Sequence, residues 1–192
     1  MTAVLLTGPA IEPVTLDEAK AHLKVDHTDE DLLITSLITA ARMHLELETR
    51  RAFITQTWAL LFDAWPVGRS LDLQIAPIQS IDAVTVFDDD DVGTVINPAT
   101  YLADLGSVPP RLVLRANGAR PAPARVANGI EVRATAGYGD TAGDVPQPLR
   151  QAILIALAHW YERRESVVIG SSVVSVPGSV QALVEPYRQV RL

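Results

Sequence analysis

The hydrophobic period of this chain changes twice, and few folds accommodate such a change. From about residue 12 to 51 apolar residues recur every three or four positions. From about 52 to 137 they tend to alternate, and from about 138 to 166 the helical spacing returns. A segment of period two cannot hold one apolar face as a helix, so the middle of the chain must be sheet and its flanks helix. The pattern predicts an α+β fold: a helical core from N- and C-terminal helices, with a small antiparallel β lobe inserted. The expected parts are an N-terminal helical part over 1–51, the β lobe over 52–137, a core C-terminal helix over 138–166 and a C-terminal arm over 167–192. A length of 192 residues suits one domain, or two small lobes sharing a core.

Local signals place the elements. Thr15 followed by Glu18 is a capping-box pattern that opens a short helix in "LDEAKAHL". In "DHTDEDLLITSLITAARMHLELETRR", Thr28 can cap the next helix. Asp29, Glu30 and Asp31 favour its positive start, and Arg50 and Arg51 its negative end. Leu33, Leu37, Ala40, Ala41, His44 and Leu47 share one face and are the expected core stripe of a helix over about 29–49, roughly 30 Å long. "ITQTWALLFD", "LDLQI", "IDAVTVF", "TYLA", "RLVLR" and "GIEVRATA" read as strands, with Asn117-Gly118 and Asn128-Gly129 as turn dipeptides. They suggest a compact antiparallel sheet or small sandwich. Pro146 suits a first helical position, and Leu149, Ile153, Ala156, Leu157 and Trp160 form the stripe that follows.

Composition narrows the function. A net charge of −7 argues against sequence-independent nucleic-acid binding, which needs a basic footprint. No cysteine is present, so neither disulfides nor a thiolate zinc site can form, which fits assembly in a reducing cytoplasm. The start of the chain has no signal-peptide pattern, and "AILIALAHWY" is about half the ~20 residues of a membrane span. The loop Gly137–Asp144 has two spaced glycines but no lysine, and its acidic end repels phosphate, so it reads as a strand-to-helix turn. "FDDDDVGT" departs from a calcium loop at Val92 and Ala99 and reads as a solvated hairpin tip. His159 with Glu162 has metal-ligand spacing, but no second such pair accompanies it. These patterns imply no catalytic set, no metal and no cofactor.

What remains is a late concentration of aromatics and arginines: Trp160, Tyr161, Arg163, Arg164, Tyr187, Arg188 and Arg191. Residue types of this kind dominate protein interfaces. Residues 167–192 read as a docking arm. The uncharged "SVVIGSSVVSVPGSV" favours extended pairing, and Leu183, Val184 and Tyr187 serve as apolar anchors beside Arg188 and Arg191.

In order and spacing, "TLDEAKAHLKVDHTDEDLLITSLITAARMHLELETRRAFITQTW", "GYGDTAGDVPQPLRQAILIALAHWYERRESV" and "LVEPYR" resemble the head–tail connector (adaptor) family of long-tailed phages, prophages and gene transfer agents. The resemblance spans about residues 12–189. It implies a structural protein of the virion neck: a homo-oligomeric ring under the portal protein that extends the DNA channel and offers a platform to a tail-side neck or stopper protein. It also implies a helical core with an inserted β lobe. DNA would pass without specific binding, and Asp29, Glu30 and Asp31 are candidates for the channel rim. Two alternatives stay open: a carboxylate-dependent hydrolase, or another neck or tail-completion protein of the same particle. Relatives usually carry Thr-Gly-Arg where this chain has Thr49-Arg50-Arg51. Either Arg50 takes the left-handed position that glycine would fill, or the helix runs on.

Overall fold

The computed structural model describes residues 1–116, 120–163 and 177–189. The chain is α+β and divides into two units. One joins Met1–Pro9 to Thr55–Tyr138; the other joins Ala10–Ile54 to the described residues from Gly139 onward.

The first unit is built of strands, with a 3-10 turn at Pro98–Thr100. β1 (Thr2–Thr7), β2 (Gln56–Phe62), β4 (Ile78–Phe87), β5 (Gly93–Val95) and β8 (Ile130–Ala136) form a five-stranded antiparallel sheet in the order β1-β2-β8-β4-β5. β3 (Ser70–Asp72), β6 (Tyr101–Asp104) and β7 (Arg111–Leu114) form a second, in the order β3-β7-β6. The β2–β8 register runs unbroken from Gln56 opposite Ala136 to Phe62 opposite Ile130. It sets buried Leu60 across from buried Val132. A slip of one residue would turn those side chains to the opposite face, so burial pins the register. The first nine residues, expected in the helical part, instead supply edge strand β1. "TAVLLT" shows neither alternation nor a cap because all six residues are exposed, which leaves no burial pattern to read. The Asp-rich segment is the expected β4–β5 hairpin tip. Asp88 Oδ1 accepts the backbone N–H of Asp90 and Val92, at 3.1 and 2.8 Å. The carboxylate thus closes the turn. Asn128, at φ 54°, bends the chain into β8, whereas Asn117-Gly118 lies outside the described residues.

The second unit is helical: α1 (Leu16–Leu23), α2 (Asp31–Thr49), α3 (Gln147–Glu162) and α4 (Gly178–Val184). Both halves of the Thr15–Glu18 capping box are formed. α2 starts later than expected. Glu30 occupies the cap position, and Thr28 contributes only its carbonyl, to Asp31 N–H. Pro146 sits one position before α3 begins, and Pro148 lies within its first turn. Arg50 settles the exit from α2. It adopts φ 56°, ψ 38°, the left-handed conformation, and its N–H returns to Glu46 O.

The core stripe of α2 differs from the expected one. Ile34, Ile38, Ala41 and Leu45 are buried, while Leu33, Ala40 and Leu47 are exposed and Leu37 and His44 are half-buried. The helix carries apolar residues on two sides, so periodicity alone permits two faces roughly 100° or more apart. Packing chooses between them: α2 lies against α3, whose buried residues are Leu149, Ala152, Ile153, Ala156 and Leu157. Each fully buried Ile or Leu here stabilises the fold by about 1.5–3 kcal/mol relative to exposure.

Candidate interaction surfaces

The last turn of α3 carries Trp160 and Tyr161, and Arg163 is its C-cap. Trp160 meets His44 edge to face, with ring centroids 5.8 Å apart. The Tyr161 hydroxyl donates to Glu30 Oε2, so one candidate rim carboxylate faces an aromatic of its own unit. Asp31 pairs with Lys20 Nζ at 2.7 Å, and Asp29 is exposed. The three acids are therefore not equivalent: Asp29 faces solvent, while the other two tie α1 and α3 to the start of α2.

Further contacts gather at the C-terminal end of α2. Arg51 Nε donates to Tyr187 O at 2.6 Å, and its guanidinium lies over the Tyr187 ring, 5.9 Å from the centroid. Arg188 pairs with Glu48 and approaches Glu185 at 3.5 Å. Gln189 N–H reaches Thr49 O at 3.4 Å. Val180 and Val184 are buried, Leu183 is half-buried, and α4 packs on α3. The segment 177–189, expected in a docking arm, is folded onto its own unit. Val184 belongs to that unit's interior and, in this arrangement, does not face outward as an anchor. Arg164 and Arg191 lie outside the described residues, as does most of "SVVIGSSVVSVPGSV". Tyr161 reaches Glu30 at the start of α2, whereas Trp160 meets His44 toward its end, where His44 lies 3.8 Å from Glu48, the partner of Arg188.

Glu12, Glu18, Glu46 and Asp144 are held by structural contacts. Arg42 is buried between Glu12 and Glu46, at 2.7 Å from each. Burial works against its charge, but hydrogen bonds and attraction from the two carboxylates outweigh it and raise its pKa above the ordinary value. The backbone N–H of Thr15 is the largest influence on Glu18; with help from Arg150, it holds the Glu18 carboxyl below its ordinary value. Asp144 accepts both the N–H and the hydroxyl of Thr141, which lowers its pKa and closes the Gly137–Asp144 turn. A Cβ at Gly139 would stand 2.7 Å from Asp144 Cβ, so glycine is required for this close approach. No cluster of three potential metal ligands occurs among the described residues.

In the first unit an open groove of about 570 Å³ runs along Asp63, Trp65, Arg120 and Arg125. Its polar groups serve the loop itself. Trp65 Nε1 donates to Pro121 O, Asp63 accepts Asn128 N–H, and Arg125 pairs with Asp91 while lying over the Phe87 ring.

On α2 the sequence pattern passes over Leu32 and Met43 and assigns Leu33 and Leu47 to the core, whereas all four are exposed. Leu32, Leu33, Met43 and Leu47 are 89, 37, 58 and 81% exposed. Their signal was present in the sequence: α2 has more apolar positions than one buried face can use.

Comparison with known proteins agrees with the connector motifs. Residues 13–86 match the phage gp6-like head–tail connector protein family. The whole chain is similar to a protein in the neck of an empty gene transfer agent particle computed with C6 symmetry. That match has 25% identity, covers 100% of this chain and 97% of the other, and has a TM-score of 0.81. A chain from a native gene transfer agent neck computed with C12 symmetry gives 25% identity, the same coverage and a TM-score of 0.79. A chain from the native gene transfer agent virion shares the fold at 24% identity, with a TM-score of 0.81. No curated protein matches the chain. The family resemblance of this chain is to the phage gp6-like head–tail connectors, over residues 13–86 in sequence, and its fold over the full length is that of gene transfer agent neck proteins.

Proposed function

We propose that this chain is a structural neck protein: a head–tail connector that forms a ring beneath a portal, extends the DNA channel and gives a tail-side protein its platform. The observation that carries the reading is the full-length likeness to proteins in gene transfer agent necks, with the connector family matched over 13–86. The chemistry is compatible. A net charge of −7 suits a conduit along which DNA slides without being held. Acidic side chains at the helix ends cap turns and pair with arginines, which is structural work. No observation favours the hydrolase alternative. Among the described residues no helix is long and apolar enough to cross a membrane.

Imaging of the purified protein mixed with its portal tests the reading. The expected result is a ring coaxial with the portal, and co-sedimentation of the protein with filled heads. A protein that neither binds the portal nor fractionates with particles is not a connector.

A further inference from the structure

The outward side of α2 lacks the usual solvated face. Leu32, Leu33, Ser36, Ala40, Met43 and Leu47 are all exposed, and none carries a charge. α1 in the same unit shows the ordinary pattern, with Asp17, Glu18 and His22 outside. A helix apolar on both its inner and its outer side is stable in water only when both are covered. The inner side is covered by α3. The outer side also has a shape: Leu33, Ser36, Ala40, Met43 and Leu47 are spaced 3, 4, 3 and 4, the seam of a helix meeting another apolar element. Bulky residues stand at its ends, and Ser36 and Ala40 leave a shallow waist where a neighbour's side chains can approach the backbone.

Resting on the ring reading above, we propose that this stripe is the apolar centre of the contact between adjacent copies of the chain. Two observations select a second copy as the occupant. Copies of a chain of net charge −7 repel one another, and an uncharged strip is where they can meet without a like-charge penalty. The similar neck structures were computed with C6 and C12 symmetry, and cyclic arrangements are built from repeated heterologous contacts. The stripe is about 22 Å long and one helix wide, or roughly 200 Å², against the ~800 Å² per partner of a stable pair. It is therefore the centre of a larger contact, suited to a ring in which every copy makes two such contacts.

The test is sedimentation of wild type, Leu32→Glu and Leu47→Glu over a wide concentration range, with Val126→Glu as a control of equal charge change at a 97% exposed position in the other unit. Wild type and the control should assemble alike, and each α2 variant should need at least about tenfold more protein. Thermal melts of the monomers should be unchanged. Should a glutamate variant misfold, Leu32→Ser and Leu47→Ser replace it, with a weaker defect in the same direction. If wild type forms rings and the α2 variants match it, this inference falls while the ring reading stands. If the variants form rings but lose portal binding, the stripe docks the portal and this inference is also wrong. Wild type that stays monomeric alone and on the portal overturns the ring reading and this inference with it.

Discussion

Lys24 and Arg50 hold the same backbone conformation for the same reason: each ends a helix by turning left-handed, with φ of 59° and 56°. For a residue with a Cβ that turn costs about 1 kcal/mol, and glycine avoids it. Lys24→Gly is expected to stabilise the protein by ~0.5–1 kcal/mol, a rise of a few degrees in Tm by calorimetry. Glu18 offers a pH test. Its folded pKa is depressed, so its contribution is present above the ordinary glutamate value and is lost as pH falls through the lowered folded value. Thr15→Ala removes the hydroxyl that Glu18 N–H donates to and loosens the box. The Glu18 titration, followed by NMR, should move up toward the ordinary range, and the variant should lose about 1 kcal/mol near neutral pH. An unmoved midpoint would mean that the Thr15 backbone N–H, which alanine keeps, together with Arg150 governs this carboxylate and the hydroxyl does not.

At the scale of the element, α2 decides the helical unit. Ile38 and Leu157 are fully or nearly fully buried, so truncation of either to alanine should cost ~2–5 kcal/mol. Leu37, half-buried and one position away, should cost clearly less. Denaturant melts of Ile38→Ala and Leu37→Ala compare the two faces directly, and equal losses would contradict the register described for α2. The Thr15–Glu18 cap and the Asn128-Gly129 turn were legible from sequence at this scale, because both act through neighbours in the chain, although the cap expected at Thr28 is not formed. The face of α2 was not, because two apolar stripes satisfy the same periodicity.

For the whole molecule the question is where the acidic balance lies relative to DNA. Asp29 is exposed, while Glu30 and Asp31 are engaged by Tyr161 and Lys20. If these residues stand at the channel rim, assembled rings of Asp29→Lys should retain DNA at low salt, an effect that fades as salt rises. A flat response in a filter-binding assay would limit Asp29 to favouring the start of α2. Glu30→Lys is a poorer probe, because it also removes the acceptor of the Tyr161 hydroxyl.

By itself the sequence determined the alternation of helix, sheet and helix, the positions of most strands, the first helix with its cap, and the connector motifs. Each of these depends on neighbouring residues or on a period, and both are properties of the chain in one dimension. Only the tertiary structure decided that Thr2–Thr7 joins the sheet, that Val184 is buried on its own unit, and that the stripe from Leu33 to Leu47 faces outward. Those outcomes depend on which surface reaches a segment first in space. β1 finds β2 some fifty residues away, and α2 turns Ile34, Ile38, Ala41 and Leu45 inward because α3 packs there. Burial is a property of pairs of surfaces, and no single segment carries it alone.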